Sequence, residues 1–168
     1  MAYKYKNRHK YKTNNKKILD FYAFLDNEVK EIISIEGHCY SETLWLGGIF
    51  DFIFENYKNQ YCLYDHKSNK NVFYNYFIQL SLYDIQITEN GIFKKDGRFL
   101  FKLNKPISKY YIGAFGGDNL KIVSNEDYEL IKWKNKKIIF QKKGINTESL
   151  KKSSLGLINY YNNSYRYL

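Results

Sequence analysis

His38 and Cys39 stand side by side, with Glu36 and Glu42 close by in the chain. A thiol beside an imidazole is what a nucleophile and its base require, and with a carboxylate it is half of a metal site. Adjacent residues in an extended segment project to opposite faces, which separates the two groups. The other histidines are His9, in a basic leader, and His66, beside Asp65. Asp65–His66 reads as a polar loop entry rather than an acid–base pair. Cys39 and Cys62 are the only cysteines, too far apart for a disulfide framework or a zinc pattern. They read as buried thiols in a reducing compartment. No phosphate loop, dinucleotide fingerprint or serine elbow occurs. The expectation is a chain with no catalytic residue, no metal and no cofactor.

The chemistry on offer is charge. The net charge is +10, and Lys4, Lys6, Arg8, Lys10, Lys12, Lys16 and Lys17 supply +7 of it before the first acid, Asp20. A basic leader on a nearly balanced body points to a polyanion, because each neutralised phosphate releases a counterion and adds affinity for any sequence. Tyr3, Tyr5 and Tyr11 are interleaved with those charges, where a ring can stack on a base. Lys132, Lys134, Lys136, Lys137, Lys142 and Lys143 crowd a second segment around Trp133, and in a hairpin several of them would share a face. Arg98 sits in a turn. The terminal run Tyr160–Tyr167, with Arg166, is polar and aromatic and suits packing into folded RNA. Gly97-Arg98-Phe99 and Tyr111-Ile112-Gly113 are similar in spacing to one nuclease family. That chemistry needs an arginine on the next helix, and none occurs between Arg98 and Arg166.

The elements that would carry these charges follow from periodicity. Residues 1–15 read as a basic flexible arm and 16–168 as one α+β domain, with 68–71 the place where it could divide. Ile18, Tyr22, Leu25, Val29 and Ile32 fall on one helical face, with Thr13 or Asn14 as its cap and Gly37 beyond its end. Residues 48–57 fit a strand or a helix equally well. So do 71–83, where a helix over 71–82 capped by Asn71 is preferred. From Asp84 the reading is β: a strand at 84–88, a turn at Asn90–Gly91, and a hairpin at Asp96–Gly97 from which Phe99, Phe101 and Leu103 alternate. Strands follow at 109–115, 119–124, 128–133 and 137–142. Thr147 caps a last helix with Leu150, Leu157, Ile158 and Tyr161 on one side. The predicted fold is thus a disordered basic arm, an amphipathic helix, an antiparallel β-rich body with hairpins, and a short C-terminal helix and tail.

Residues 84–168 resemble the second half of the sixth large-subunit ribosomal protein family in a diverged organellar form. The resemblance rests on the strand and turn at Asn90–Gly91–Ile92, Phe99-Leu100-Phe101-Lys102-Leu103, Pro106, Ser108, Tyr110–Tyr111 and Leu120-Lys121-Ile122. A terminal helix from Glu148 to Asn159 and the ending Tyr165-Arg166-Tyr167 complete it. It implies an RNA-embedded structural component without catalysis.

Lysine, asparagine, tyrosine, phenylalanine and isoleucine dominate the composition, as an A+T-rich genome favours. No stretch approaches the roughly 20 apolar residues that span a bilayer, and the leader lacks a secretory signal. The expected setting is an organelle such as the mitochondrion, or the cytoplasm, with no secretion and no membrane partner. The expected function is non-enzymatic nucleic-acid binding, RNA favoured, with neighbouring proteins of a large assembly as further partners. The alternatives are a small capsid or nucleoid protein and a single-strand-binding module. Deleting residues 1–15 is expected to leave the fold intact. Nucleic-acid affinity should fall and its salt dependence become shallower, as a filter-binding series over salt would show.

Overall fold

A computed structural model describes residues 12–134 and 137–165. Helix α1 (Lys16–Glu28) begins where Asn15, not Thr13 or Asn14, presents its side-chain oxygen to the backbone N–H groups of Lys17 and Ile18, at 3.0 and 3.4 Å. Thr13 instead accepts the N–H of Asn15 itself. The predicted helical face holds through Tyr22 and Leu25 and then stops, because Val29 is already extended. Val29 and Ile32 belong to strand β1 (Val29–Ser41). Their β-branched side chains suit a pleated ladder better than a helix, and pairing with the next strand decides the contest.

Strand β2 (Leu46–Asn56) settles the ambiguity at 48–57 in favour of a strand, and β3 (Tyr61–Lys67) completes an antiparallel meander with it and β1. The chain then crosses through helix α2 (Tyr74–Asn90), which begins three residues later than expected. Asn71 does not cap it; Phe73 holds the cap position with no side-chain bond. The helix also takes in 84–88, which had read as a strand. Phe77, Leu80, Asp84 and Ile87 are all buried, and their spacing of three and four is a helical face. Gly91, at φ +88°, ends the helix, so Asn90–Gly91 is a C-terminal stop rather than a hairpin turn. The segment likened to the first ribosomal strand is therefore helical.

Strands β4 (Ile92–Phe93) and β5 (Phe99–Phe101) form the hairpin expected around Asp96–Gly97, closed by Lys94 and Arg98. Strand β6 (Ile107–Ala114) returns beside β3 in parallel, and β7 (Lys121–Ser124) pairs with it antiparallel. The seven-stranded sheet runs β5-β4-β1-β2-β3-β6-β7. It is mixed rather than antiparallel throughout, because β6 runs parallel to β3, to which it is joined through α2 and the β4–β5 hairpin rather than by a tight turn. Strands from both sides of residues 68–71 are thus hydrogen-bonded neighbours. Strands β8 (Glu129–Lys134) and β9 (Lys137–Lys143) make a separate two-stranded sheet, and helix α3 (Thr147–Tyr165) follows. Asn146 rather than Thr147 receives the first-turn N–H, from Ser149 at 2.7 Å. Leu150 and Ser154 are buried, while Leu157 and Tyr161 are exposed. No helix among the described residues is long and apolar enough to cross a membrane.

The sheet separates two cores. Phe77, Leu80, Tyr83 and Ile87 of α2 and Leu150 of α3 pack on one face, against Phe50, Ile53, Leu63, Tyr110 and Ile112. Phe21, Tyr22 and Leu25 of α1 pack on the other, against Phe52, Phe54, Tyr64 and Tyr111. Asp84 fastens the first layer: its carboxylate accepts from the Tyr110 hydroxyl at 2.6 Å and pairs with Lys151 at 2.8 Å, joining α2, β6 and α3. Burial pushes the carboxyl upward and its two partners oppose that. Asp84→Ala is expected to cost about 3 kcal/mol or more in denaturant unfolding, because it strands a buried ammonium. Asp84→Asn, which still accepts a hydrogen bond, should cost less.

Candidate functional site

The ladder between β2 and β3 ends early. Its last rung is Phe52 opposite Tyr64, and the next pair would be Asp51 opposite Asp65. Beyond that rung β2 continues against β1 as far as Leu46, and β3 continues against β6 as far as Lys67. The two strands part, and an aspartate stands on each side of the opening. Parting leaves backbone groups without ladder partners, which must be satisfied by other means. Asp51 does this: its Oδ2 accepts the backbone N–H of His66 at 2.5 Å and the Nδ1–H of the same residue at 2.6 Å. Asp65–His66 is therefore strand, not a loop entry, and the true partner of His66 is Asp51.

The alternation of β2 slips at the same place. Phe50 faces α2, whereas Phe52 and Phe54 face α1. Opposite, between the rungs Ile35–Phe52 and Gly37–Phe50, Glu36 takes φ +50° within β1. A non-glycine residue at positive φ inside a strand is strained, and such strain gathers where function demands a geometry. Glu36, Asp51, Tyr64 and His66 line one small cavity of about 70 Å³, walled by Phe52 and Phe115. The Tyr64 hydroxyl is buried there with no hydrogen-bond partner.

The other side of the opening is built by α2. Asp65 and Lys67 are two residues apart on β3 and so share the face toward α2. Lys67 pairs with Asp65 and donates to the Gln79 Oε1 at 2.7 Å. The Gln79 amide donates to the Tyr83 hydroxyl at 2.6 Å, and the Lys67 ammonium lies 5.3 Å from the Tyr76 ring centroid. Tyr83 can sit so close to β2 because residue 48 is glycine. A Cβ there would lie 2.3 Å from its ring. Lys67 is thereby held in one place instead of sweeping through solvent. Burial raises the Asp65 pKa, the Lys67 hydrogen bond lowers it, and the Asp51 charge raises it further.

This arrangement has the chemistry of a site for a hard divalent cation. Asp51 and Asp65 are carboxylates on adjoining strands whose charges repel, and a cation between them would relieve that repulsion. Among the described residues no three His, Cys, Asp or Glu side chains already form a metal cage. Magnesium does not require one, because it is held by one or two carboxylates plus waters and substrate phosphates.

The residues singled out from the sequence fall elsewhere. Lys4, Lys6, Arg8, Lys10, Lys136 and Arg166 lie outside the described residues, as do the side chain of Lys134 and that of Trp133. Lys12 and Lys16 are exposed. Lys17 donates to the carbonyl of Phe115 at 2.8 Å, which brings the start of α1 to the cavity wall. Arg98 is paired with Asp96 at the hairpin tip. In the β8–β9 sheet Lys132 faces Phe140 and Lys142 faces Leu130, while Lys143 faces Glu129. Cross-strand partners share a face, so these lysines divide between the two faces rather than lining one. Cys39 is buried, its thiol pushed up to about 12 by burial, and its sulfur lies 3.3 Å from Gln86. Such burial disfavours the thiolate form. Sequence reading passed over Asp51, Lys67 and Gln79 and set Asp65 aside as a loop entry, because the parting of β2 from β3 and the seating of α2 that place them are not visible in the chain.

No protein-family model matches the chain, and no curated protein matches it.

The hydrogen bond that His66 donates to the Asp51 carboxylate raises the His66 pKa above its ordinary 6.5. A raised folded-state value favours the protonated, folded form. That contribution to stability is fully present below the unfolded pKa and is lost as pH rises through the folded one. In the cation-free protein, Asp51→Asn should lower the His66 pKa, followed by its imidazole resonances in an NMR titration. An unchanged His66 pKa would mean that the pair does not exist in solution.

Proposed function

We propose that the chain is a nucleic-acid hydrolase that uses a divalent cation of the magnesium class, with its centre where β2 and β3 part. The observation that carries this reading is the placement of Asp51 and Asp65 on either side of the opening, with Lys67 fixed beside them by Gln79. Asp51 and Asp65 would hold the cation. When bound, it would neutralise a phosphate oxygen and lower the pKa of a coordinated water. Lys67 contributes fixed positive charge where negative charge grows in the transition state, in a water-poor setting that strengthens it. Glu36 lines the cavity with Asp51 and would serve as the proton acceptor there. In the overall step the water oxygen bonds to phosphorus and the bond to the leaving sugar oxygen breaks. One proton leaves the water and one reaches the leaving oxygen, with no redox change.

Charge placement supports a polyanionic substrate. Lys94 and Lys95 border a groove that also contains Glu36. Lys17 touches the Phe115 wall, and α1 is the element to which the basic leader is attached. Cations thus flank a centre of acids, the layout that draws a phosphodiester to a metal-binding pair. This reading keeps the nucleic-acid partner expected from the sequence and departs from the expected non-enzymatic role.

Wild-type protein should degrade end-labelled DNA or RNA when magnesium or manganese is added and not in excess chelator. Asp51→Asn, Asp65→Asn and Lys67→Ala should each lower the rate by about 100-fold or more, the scale of losing one electrostatic element of a site. Circular dichroism should show that each variant stays folded. Folded wild-type protein that cuts no nucleic acid with either cation would overturn the reading. Cutting that survives all three substitutions would do the same.

A further inference from the structure

Helix α1 covers only part of its side of the sheet. On β2 its apolar contacts reach back to Phe52 and no further. Beyond them, Ile49 pairs with His38 and His38 pairs with Phe93, so the three form one row across β2, β1 and β4. Cys39 is buried toward α2, which puts its neighbours His38 and Tyr40 on the opposite, uncovered face. Tyr40 and Phe93 are in ring contact at 4.8 Å between centroids. Ile49 and Tyr40 remain 53 % and 38 % exposed. Lys94 and Lys95 line this groove beside the rings. It continues into a second hollow lined by Ile35, Glu36 and the same two lysines, and Ile35 and Glu36 also line the small cavity at the centre.

The turn from β1 to β2, between the groove residues Tyr40 and Gly47, carries Trp45, 93 % exposed and at φ +52°. That turn is held rigid. The Glu89 carboxylate of α2 accepts the N–H groups of Glu42 and Thr43, both at 3.1 Å, and the hydroxyls of Ser41 and Thr43, at 2.5 and 3.0 Å. An indole displayed on a fixed support in water is an expensive use of apolar surface unless something covers it.

Resting on the hydrolase reading, we infer that this uncovered face is the track for a single nucleic-acid strand: unpaired bases stack on Trp45, Tyr40 and Phe93 and phosphates follow Lys94 and Lys95 to the centre at Glu36 and Asp51. A single strand is the occupant because rings can stack only on bases whose faces are free. A duplex hides those faces and offers only phosphates. Charge complementarity and continuity with the acid centre both favour this occupant over a protein.

The test uses the full chain in chelator, with fluorescein-labelled single-stranded DNA and RNA oligonucleotides and blunt duplexes of the same length. Single strands should bind at least tenfold more tightly than duplexes. Trp45→Ala and Tyr40→Ala should each weaken single-strand binding about tenfold, and Trp45→Phe should restore most of it. Lys94→Gln with Lys95→Gln should weaken binding and flatten its salt dependence. Thermal melts identify any variant that has lost its fold, and Trp45→Phe keeps the question open to test if Tyr40→Ala unfolds. Equal affinity for both forms, or no effect of the ring substitutions in folded protein, would overturn the track. So would sedimentation showing this face closed in a dimer that Trp45→Ala dissolves. If cation-dependent cleavage persists on duplexes alone, the track falls and the hydrolase stands. Single-strand binding that depends on the rings, without any cleavage, would sink the hydrolase and leave the track.

Discussion

The parting of β2 from β3 after the Phe52–Tyr64 rung is the constraint on which the rest of the structure depends. Up to that rung the two strands share a ladder and bury aromatic side chains on both faces. Past it, each keeps only its outer neighbour, and polar side chains must replace the missing backbone partners. Asp51 does so for His66, and Lys67 is taken up by Gln79 of the crossover helix. An opening within a sheet costs ladder bonds. It is stable here because β1 and β6 hold the outer edges, through ladders that reach Leu46 and Lys67. Helix α2 closes one face with Tyr83 seated on Gly48.

Chemistry follows from the same constraint. In an unbroken ladder, acids at opposed positions would share a face with their Cβ atoms about 5 Å apart. Where the strands part, Asp51 lines the cavity on the α1 side while Asp65 pairs with Lys67 on the α2 side. Burial chiefly, and the Asp51 charge after it, push the Asp65 carboxyl upward against its Lys67 hydrogen bond, and a divalent cation between the two acids would offset that repulsion. The lysine two residues along the strand arrives on the same face by the period of the pleat alone. The row from Ile49 through His38 to Phe93 lies beyond the N-terminal end of α1, whose rings run along β2 from Phe21 against Phe52 to Phe24 against Phe54, away from Ile49.

Much of the secondary structure was legible in the sequence. The Asp96–Gly97 hairpin, the strands of the last half and the core of α1 follow from turn chemistry and periodicity. The α+β class follows from them. The failures have physical causes. Ile85 and Ile87 alternate like a strand, but Asp84 and Ile87 complete a buried helical face with Phe77 and Leu80, so tertiary packing overrode a short local pattern. Asp65–His66 read as a polar loop because charged residues after an apolar run usually end a strand. Here they continue one, and their counter-groups come from β2 and α2. The candidate centre was illegible for the same reason. Asp51, Asp65, Lys67 and Gln79 are unremarkable alone, and the parting of β2 from β3 together with the seating of α2 beside them assembles them. In the lysine segment at 132–143, the register of β8 with β9 puts Lys132 and Lys142 on one face and Lys143 on the other.

The central claim is that a divalent cation sits between Asp51 and Asp65. Crystals grown with manganese and a phosphorothioate oligonucleotide, measured for anomalous scattering, test it most directly. The account predicts an anomalous peak within about 2.0–2.6 Å of a carboxylate oxygen of each aspartate, the range of hard-cation contacts to oxygen. That peak should be absent from Asp51→Asn crystals. A saturated crystal with no peak at the opening, or one bound by other residues and indifferent to Asp51, would contradict it.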